Sequence, residues 1–255
     1  MKLFVRELIG DFKAAVRIGD PDSAEAVMDR VRAASDDSLP ASALLPLGEA
    51  VRTLPDAILF PWLDEEDAGV RGIAAAALGL QIASGAAVPE AVTRIAAGDP
   101  AAEVRTALVE GLMSGENLSA DLADLFLSDE APEVRRTGLL LLHQSSALAM
   151  RSLDRLAPAD LEQDHGFRDD LVDTLNRLAE NGLDGPVLDL LATWAARAEP
   201  NTWLVTRVVS AGWAQEHSAR CLAILDNLQE QTGDKRAIAR ARERHRPPAG
   251  AANDP

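Results

Sequence analysis

The chain has 255 residues, with 41 Asp or Glu against 25 Lys or Arg for a formal charge of -16; 47% of it is apolar, only 4% is aromatic, and tyrosine is absent. A surface of that sign repels the phosphate backbone that supplies most nonspecific nucleic-acid affinity, so nucleic acid is a disfavoured partner. The single cysteine, Cys221, excludes an internal disulfide framework and a multi-cysteine zinc site.

The opening stretch, MKLFVRELIGDFKAAVRIG, sets Arg6, Glu7, Asp11 and Lys13 among its apolar residues and lacks the uninterrupted core of a signal peptide. No stretch approaches the roughly 20 apolar residues of a membrane span, so a cytoplasmic protein without a membrane partner is expected. Asp20-Pro21 opens a helix with Ala26, Val27, Arg30 and Val31 at helical spacing, and ALLPLGEAVRTL follows Pro40. Residues 1–54 read as an N-terminal helical cap.

One phrase then recurs four times: an acidic residue, a short spacer, an apolar residue and arginine. The copies are Glu65 to Arg71, Asp99 to Arg105, Asp129 to Arg135 and Glu162 to Arg168, and their arginines lie 34, 30 and 33 residues apart. That period predicts stacked two-helix units in a single elongated domain, each packing only on its neighbours. Aligned on Val70, Val104, Val134 and Phe167, positions four and eight later are Ala74 and Leu78, Leu108 and Leu112, Gly138 and Leu142, Leu171 and Leu175. This is one face of a helix.

Preceding helices are expected over Pro55 to Leu63, Pro89 to Ala97, Ser119 to Leu127 and Leu148 to Leu156. Asp99-Pro100 and Pro132 read as helix entries, because Asp caps free amides and Pro is preset for the first helical position. The repeats fill 55–182. Over 183–246, Asp184 to Arg197 and Asn201 to Gln215 form a degenerate pair in which Val205, Val208, Val209, Gly212 and Trp213 repeat the stripe and Thr206 replaces the arginine. Cys221 to Gln231 gives one more helix, KRAIARARERHR closes the helical part, and 247–255 has the composition of a flexible tail.

The acidic turn favours the positive end of the second helix, and an arginine one position past the buried anchor points along the stack. Arg71, Arg105, Arg135 and Arg168 are therefore expected at seams, reaching acids such as Asp99 and Asp129 through forked contacts worth roughly 1 kcal/mol each. EEDAGVRGIAAAALG, DPAAEVRTALVEGL and DEAPEVRRTGLLLL resemble HEAT repeats. The resemblance implies an all-α, right-handed α-solenoid of antiparallel helix pairs, with second helices lining a concave face that serves as a scaffold for a protein or peptide.

On that face the residues off the buried stripe are Glu110 and Met113, then Arg136, His143 and Gln144, then Asp169, Asp173, Asn176 and Arg177, and finally Arg207. Trp194, Trp203 and Trp213 cluster, and tryptophans so placed more often plug the interface between terminal helices; the alternative is a cation–π patch of Trp203 with Arg207 one turn on. The four histidines show no metal-ligand spacing, and no catalytic or phosphate-binding motif is present, so neither metal nor cofactor is expected. A non-catalytic adaptor is the leading reading. The alternative is an enzyme on a similar repeat, such as an alkylpurine DNA glycosylase or a bilin-lyase-type subunit. Residues 235–246 carry +5 and leave -21 for the rest, and suit an acidic partner, the chain's own acidic surface or nucleic acid.

Overall fold

The computed structural model describes residues 2–34, 39–88, 90–115, 120–144, 146–152, 165–197 and 200–246. Every regular element among them is helical, and the chain divides into two compact units, Met1–Ser145 and Ser146–Pro255. No helix among the described residues is long and apolar enough to cross a membrane.

Unit 1 contains α1 (Leu3–Ile18), α2 (Pro21–Arg32), α3 (Leu44–Val51), α4 (Asp56–Trp62), α5 (Ala68–Ala83), α6 (Glu90–Ala97), α7 (Ala102–Leu112), α8 (Ala120–Leu127) and α9 (Pro132–Leu141). The odd-numbered helices form one row, each packed on the next, and α4, α6 and α8 back onto α5, α7 and α9. The local causes are legible. Asp20 caps α2 by accepting from the amides of Asp22 and Ser23, and Asp67 caps α5 by accepting from Val70 N at 2.9 Å. Pro132 is the first residue of α9, where its missing N–H costs nothing.

Pro100, by contrast, lies outside α7. Asp99 sits two residues before the Ala101 cap, and its Oδ1 accepts from Ala101 N at 2.8 Å, folding the turn rather than capping the helix.

α5 is buried more completely than a stripe of every fourth residue predicts: residues 72–80 are all buried. Alanine and glycine make this possible, because neighbouring backbones come close from both sides. A Cβ on Gly79 would stand 2.4 Å from Leu108 O, and one on Gly111 would stand 2.5 Å from Ala76 O. The α5–α7 contact is therefore backbone against backbone, a geometry that larger side chains exclude. Trp62 seals the other end of the unit, fully packed against Phe12 and donating from Nε1 to Glu25 Oε2 at 2.9 Å.

Unit 2 contains α10 (Ser146–Ser152), α11 (His165–Leu178), α12 (Asp184–Ala195), α13 (Thr202–Val209), α14 (Ser218–Gln231) and α15 (Lys235–Arg244). Here α11, α13 and α15 form one row, and α12 packs beside α14. Gly182, at φ +90, makes the turn between α11 and α12 in a region that other residues rarely adopt. Trp194, Leu191, Leu204, Val205, Cys221 and Leu225 are buried core.

α13 ends at Val209, short of the expected Gln215. Its hydroxyls turn back on the helix: Ser210 Oγ donates to Thr206 O, and Ala211 N bonds three residues back to Val208 O, tightening the last turn before Gly212. Gly212 is accordingly exposed, and Trp213 begins a separate short turn (Trp213–His217). The end of the helix expected over Leu148 to Leu156, the Glu162 turn, Pro89, Ser119 and the tail 247–255 lie outside the described residues.

Candidate functional site

The recurring phrase builds a joint with two halves. Arg71 donates from Nε to Asp99 Oδ2 at 2.7 Å and from Nη2 to Asp99 Oδ1 at 3.2 Å, while its Nη1 donates to the carbonyls of Glu65 and Glu66 in its own turn. Arg105 does the same one unit on. Nε and Nη2 reach Asp129 at 2.8 Å each, and Nη1 donates to Asp99 O. Arg135 Nη1 donates to the carbonyls of Asp129 and Glu130, completing the own-turn half; the acids of the next phrase up to Asp164 lie outside the described residues.

The joints are more buried than a partly exposed seam. Side-chain exposure is 12% and 5% for Arg71 and Asp99, and 5% and 7% for Arg105 and Asp129. At that depth a forked pair is well satisfied, but one partner alone is an uncompensated charge. Hydrogen bonding to Asp99 and to Asp129 raises the affinity of Arg71 and Arg105 for their protons, against the opposing effect of burial. Upstream, Arg32 at the end of α2 binds Glu65 at 2.9 Å together with Glu25 and Asp29. Sequence reasoning passed over this joint, although Val31-Arg32 was a signal for it.

Of the residues proposed to meet a partner in unit 1, Glu110 on α7 is half-buried, and burial pushes its carboxyl above the ordinary glutamate range. It has no hydrogen-bond or ion-pair partner among the described residues. Met113 just beyond α7 is half-buried and Arg136 on α9 is exposed. His143 is half-buried, its Nε2 closed off from solvent, and the side chain of Gln144 lies outside the described residues.

Two clefts among the described residues of unit 1 open elsewhere, along the turns that carry the acidic phrases. One of about 350 Å³ is lined by Val31, Leu39, Leu44, Asp67, Gly69 and Glu103. The other, of about 640 Å³, is lined by Glu65, Glu66, Arg71, Arg94, Asp99 and Pro100. Carboxylates line both, joined in the second by the guanidiniums of Arg71 and Arg94. The clustered acids of EED and DPAAE were the signal.

In unit 2, Asp169, Asp173 and Arg177 are exposed along α11, and Arg207 is exposed on α13. Asn176 has a structural partner: its Oδ1 accepts from Trp213 Nε1 at 3.1 Å. Trp203 is 42% exposed, yet the cation over its ring is Arg168 of α11, 5.4 Å from the centroid, rather than Arg207 on its own helix. Two residues one turn apart point side by side; a residue from a packed neighbour can lie over the ring. Trp194 is core.

At the position of the phrase's arginine, Thr206 is buried and donates to Thr202 O at 2.7 Å, a bond inside its own helix. Cys221 is buried, with its thiol pushed up to about 11 by desolvation, which removes it from nucleophilic chemistry. No family model, curated protein or solved structure matches the chain.

Proposed function

We propose that the chain is a HEAT-like α-solenoid, its helix pairs wound in a right-handed superhelix, and that it acts as a cytoplasmic, non-catalytic scaffold holding a protein segment against its second helices. The reading rests on Glu110. A half-buried carboxylate with weakened acidity and no partner among the described residues is costly to keep, and an incoming cationic side chain offsets that cost. Met113 beside it supplies an adaptable apolar contact. The partner is accordingly a segment carrying basic and apolar residues together.

The test is affinity purification from the native host with identification of what is retained, followed by titration of the purified partner. Glu110→Lys is expected to weaken that partner by about tenfold or more. Retention of every partner by a chain carrying Glu110→Lys, Asp169→Lys and Asp173→Lys would overturn the reading.

A further inference from the structure

We propose that the solvent face of α15, with Arg207 of the adjacent α13, is a docking surface for a short, extended acidic protein segment. α15 is a fixed element. Ile238 and Ala241 are buried, Arg242 pairs with Asp226, and His245 at its end lies with Nε2 2.7 Å from Val209 O and Nδ1 3.2 Å from Ser218 Oγ. These contacts commit one side of the helix to α13 and α14. The other side presents Arg236, Arg240 and Arg244, with Lys235 and Arg246 at the two ends of the helix, all exposed.

None of these five cations, nor Arg207, has an ion-pair partner among the described residues. Shortage of carboxylates is no explanation in a chain with 41 of them. In unit 1, Arg30, Arg32, Arg52, Arg71, Arg94 and Arg105 are each paired, and the cations without an ion pair among its described residues, Lys2, Arg6, Lys13 and Arg17, lie at or on α1. On α15 the lone acid is Glu243. A fixed row of unpaired guanidiniums in an otherwise acid-rich molecule is what recognition of carboxylates requires.

Spacing defines the ligand further. Arg236, Arg240 and Arg244 recur every fourth residue, so successive guanidiniums sit about 6 Å apart along the helix. An extended peptide returns a side chain to the same side every second residue, about 6.6 Å. Acid at alternate positions therefore matches the row. Exposed Asp226, paired with Arg242, and Asp234, the cap of α15, border it and oppose a longer polyanion running past. The apolar side of α15 is already buried within unit 2, which leaves nothing to insert into lipid. This surface is opposite in charge to the one around Glu110, so either can fail without the other.

Fluorescence anisotropy of the full chain with a labelled peptide of about seven residues, alternating Glu and Ser, tests the proposal. Saturable binding is expected at low salt, weakening at about 0.15 M. It should fall by about tenfold in R236Q/R240Q/R244Q, fall less in R236K/R240K/R244K, which keeps charge but loses the fork, and stay unchanged in R52Q. Helicity by circular dichroism accompanies each variant. Absence of saturable binding, equal binding by the triple Gln variant, or tighter binding of a thymidine oligonucleotide or of phosphatidylserine vesicles than of the peptide would overturn it.

Discussion

Unit 1 makes the same joint twice, Arg71 to Asp99 and Arg105 to Asp129, with the same guanidinium atoms on the acid and the same atom on its own turn. Unit 2 packs its helices in comparable rows, and among its described residues the contacts between helices differ from one to the next: Trp213 to Asn176, Arg220 to Asp189, His217 to Asp184 and His245 to Val209. Charge follows the same division, with 24 acidic and 12 basic residues in unit 1 against 17 and 13 in unit 2. Among the described residues the repeated joint ties Arg71 and Arg105 down, while Arg236, Arg240 and Arg244 of α15 stand without an ion pair.

The comparison breaks most readily at Asp129. Asp129→Ala strands Arg105 at 5% exposure and is expected to cost about 3–5 kcal/mol in urea unfolding, with most of it recovered when Arg105→Met is added to Asp129→Leu. A loss below about 1 kcal/mol would make the joint an ordinary surface pair. Gly79→Val comes next, at about 3 kcal/mol, because the new Cβ meets the backbone of α7. Full stability in that variant would mean that α5 and α7 can separate at little cost.

Cys221 reads unit 2 from its interior. With its thiol raised from 9.0 to about 11, labelling at about pH 8 should run about a hundredfold slower in the native protein than in denaturant. Rapid native labelling would mean a loosely packed α14. Thr206→Val tests whether the replaced position is still a joint: its hydroxyl bonds only within α13, so a loss of about 0.5–1 kcal/mol is expected, far from the cost at Asp129.

The smallest effect is at Glu110. Its carboxyl is raised above the unfolded value, so the folded state binds the proton more tightly, and stability falls as pH climbs through the glutamate range. Glu110→Gln should thus be slightly more stable than the parent at neutral pH, by about 0.5 kcal/mol, with the gain vanishing in acid. An equal gain at both pH values would assign the effect to something other than titration.

Helix positions and the seam contacts of unit 1 were legible because a recurring phrase places the same residue types at the same structural address each time. Asp99 and Asp129 could be matched to Arg71 and Arg105 on that basis alone. The early stop of α13 was hidden in Thr206 and Ser210, whose hydroxyls read as helix-neutral until their bonds are known. The stacking of Arg168 on Trp203 joins residues far apart in sequence and on different helices, which no local pattern marks. The division between the units has no counterpart in the period, whose fourth copy runs past it. On α15 the pattern gave the charge, but His245, which fixes the helix in place, carried no signal in spacing.

The joint of unit 1 has a polarity: an arginine extended forward and an aspartate that receives from behind while folding its own turn. A duplicated segment 99–128 would mate with both neighbours through it, since each of its ends already fits. Such a connector is interchangeable, and so it cannot tell one seam from another. The meeting of Gly79 with Gly111 can, because the position of Gly79 is occupied by Met113 in the next unit. The ions therefore act as a common coupling, while the order in which the units are assembled is written in the smallest residues of the chain.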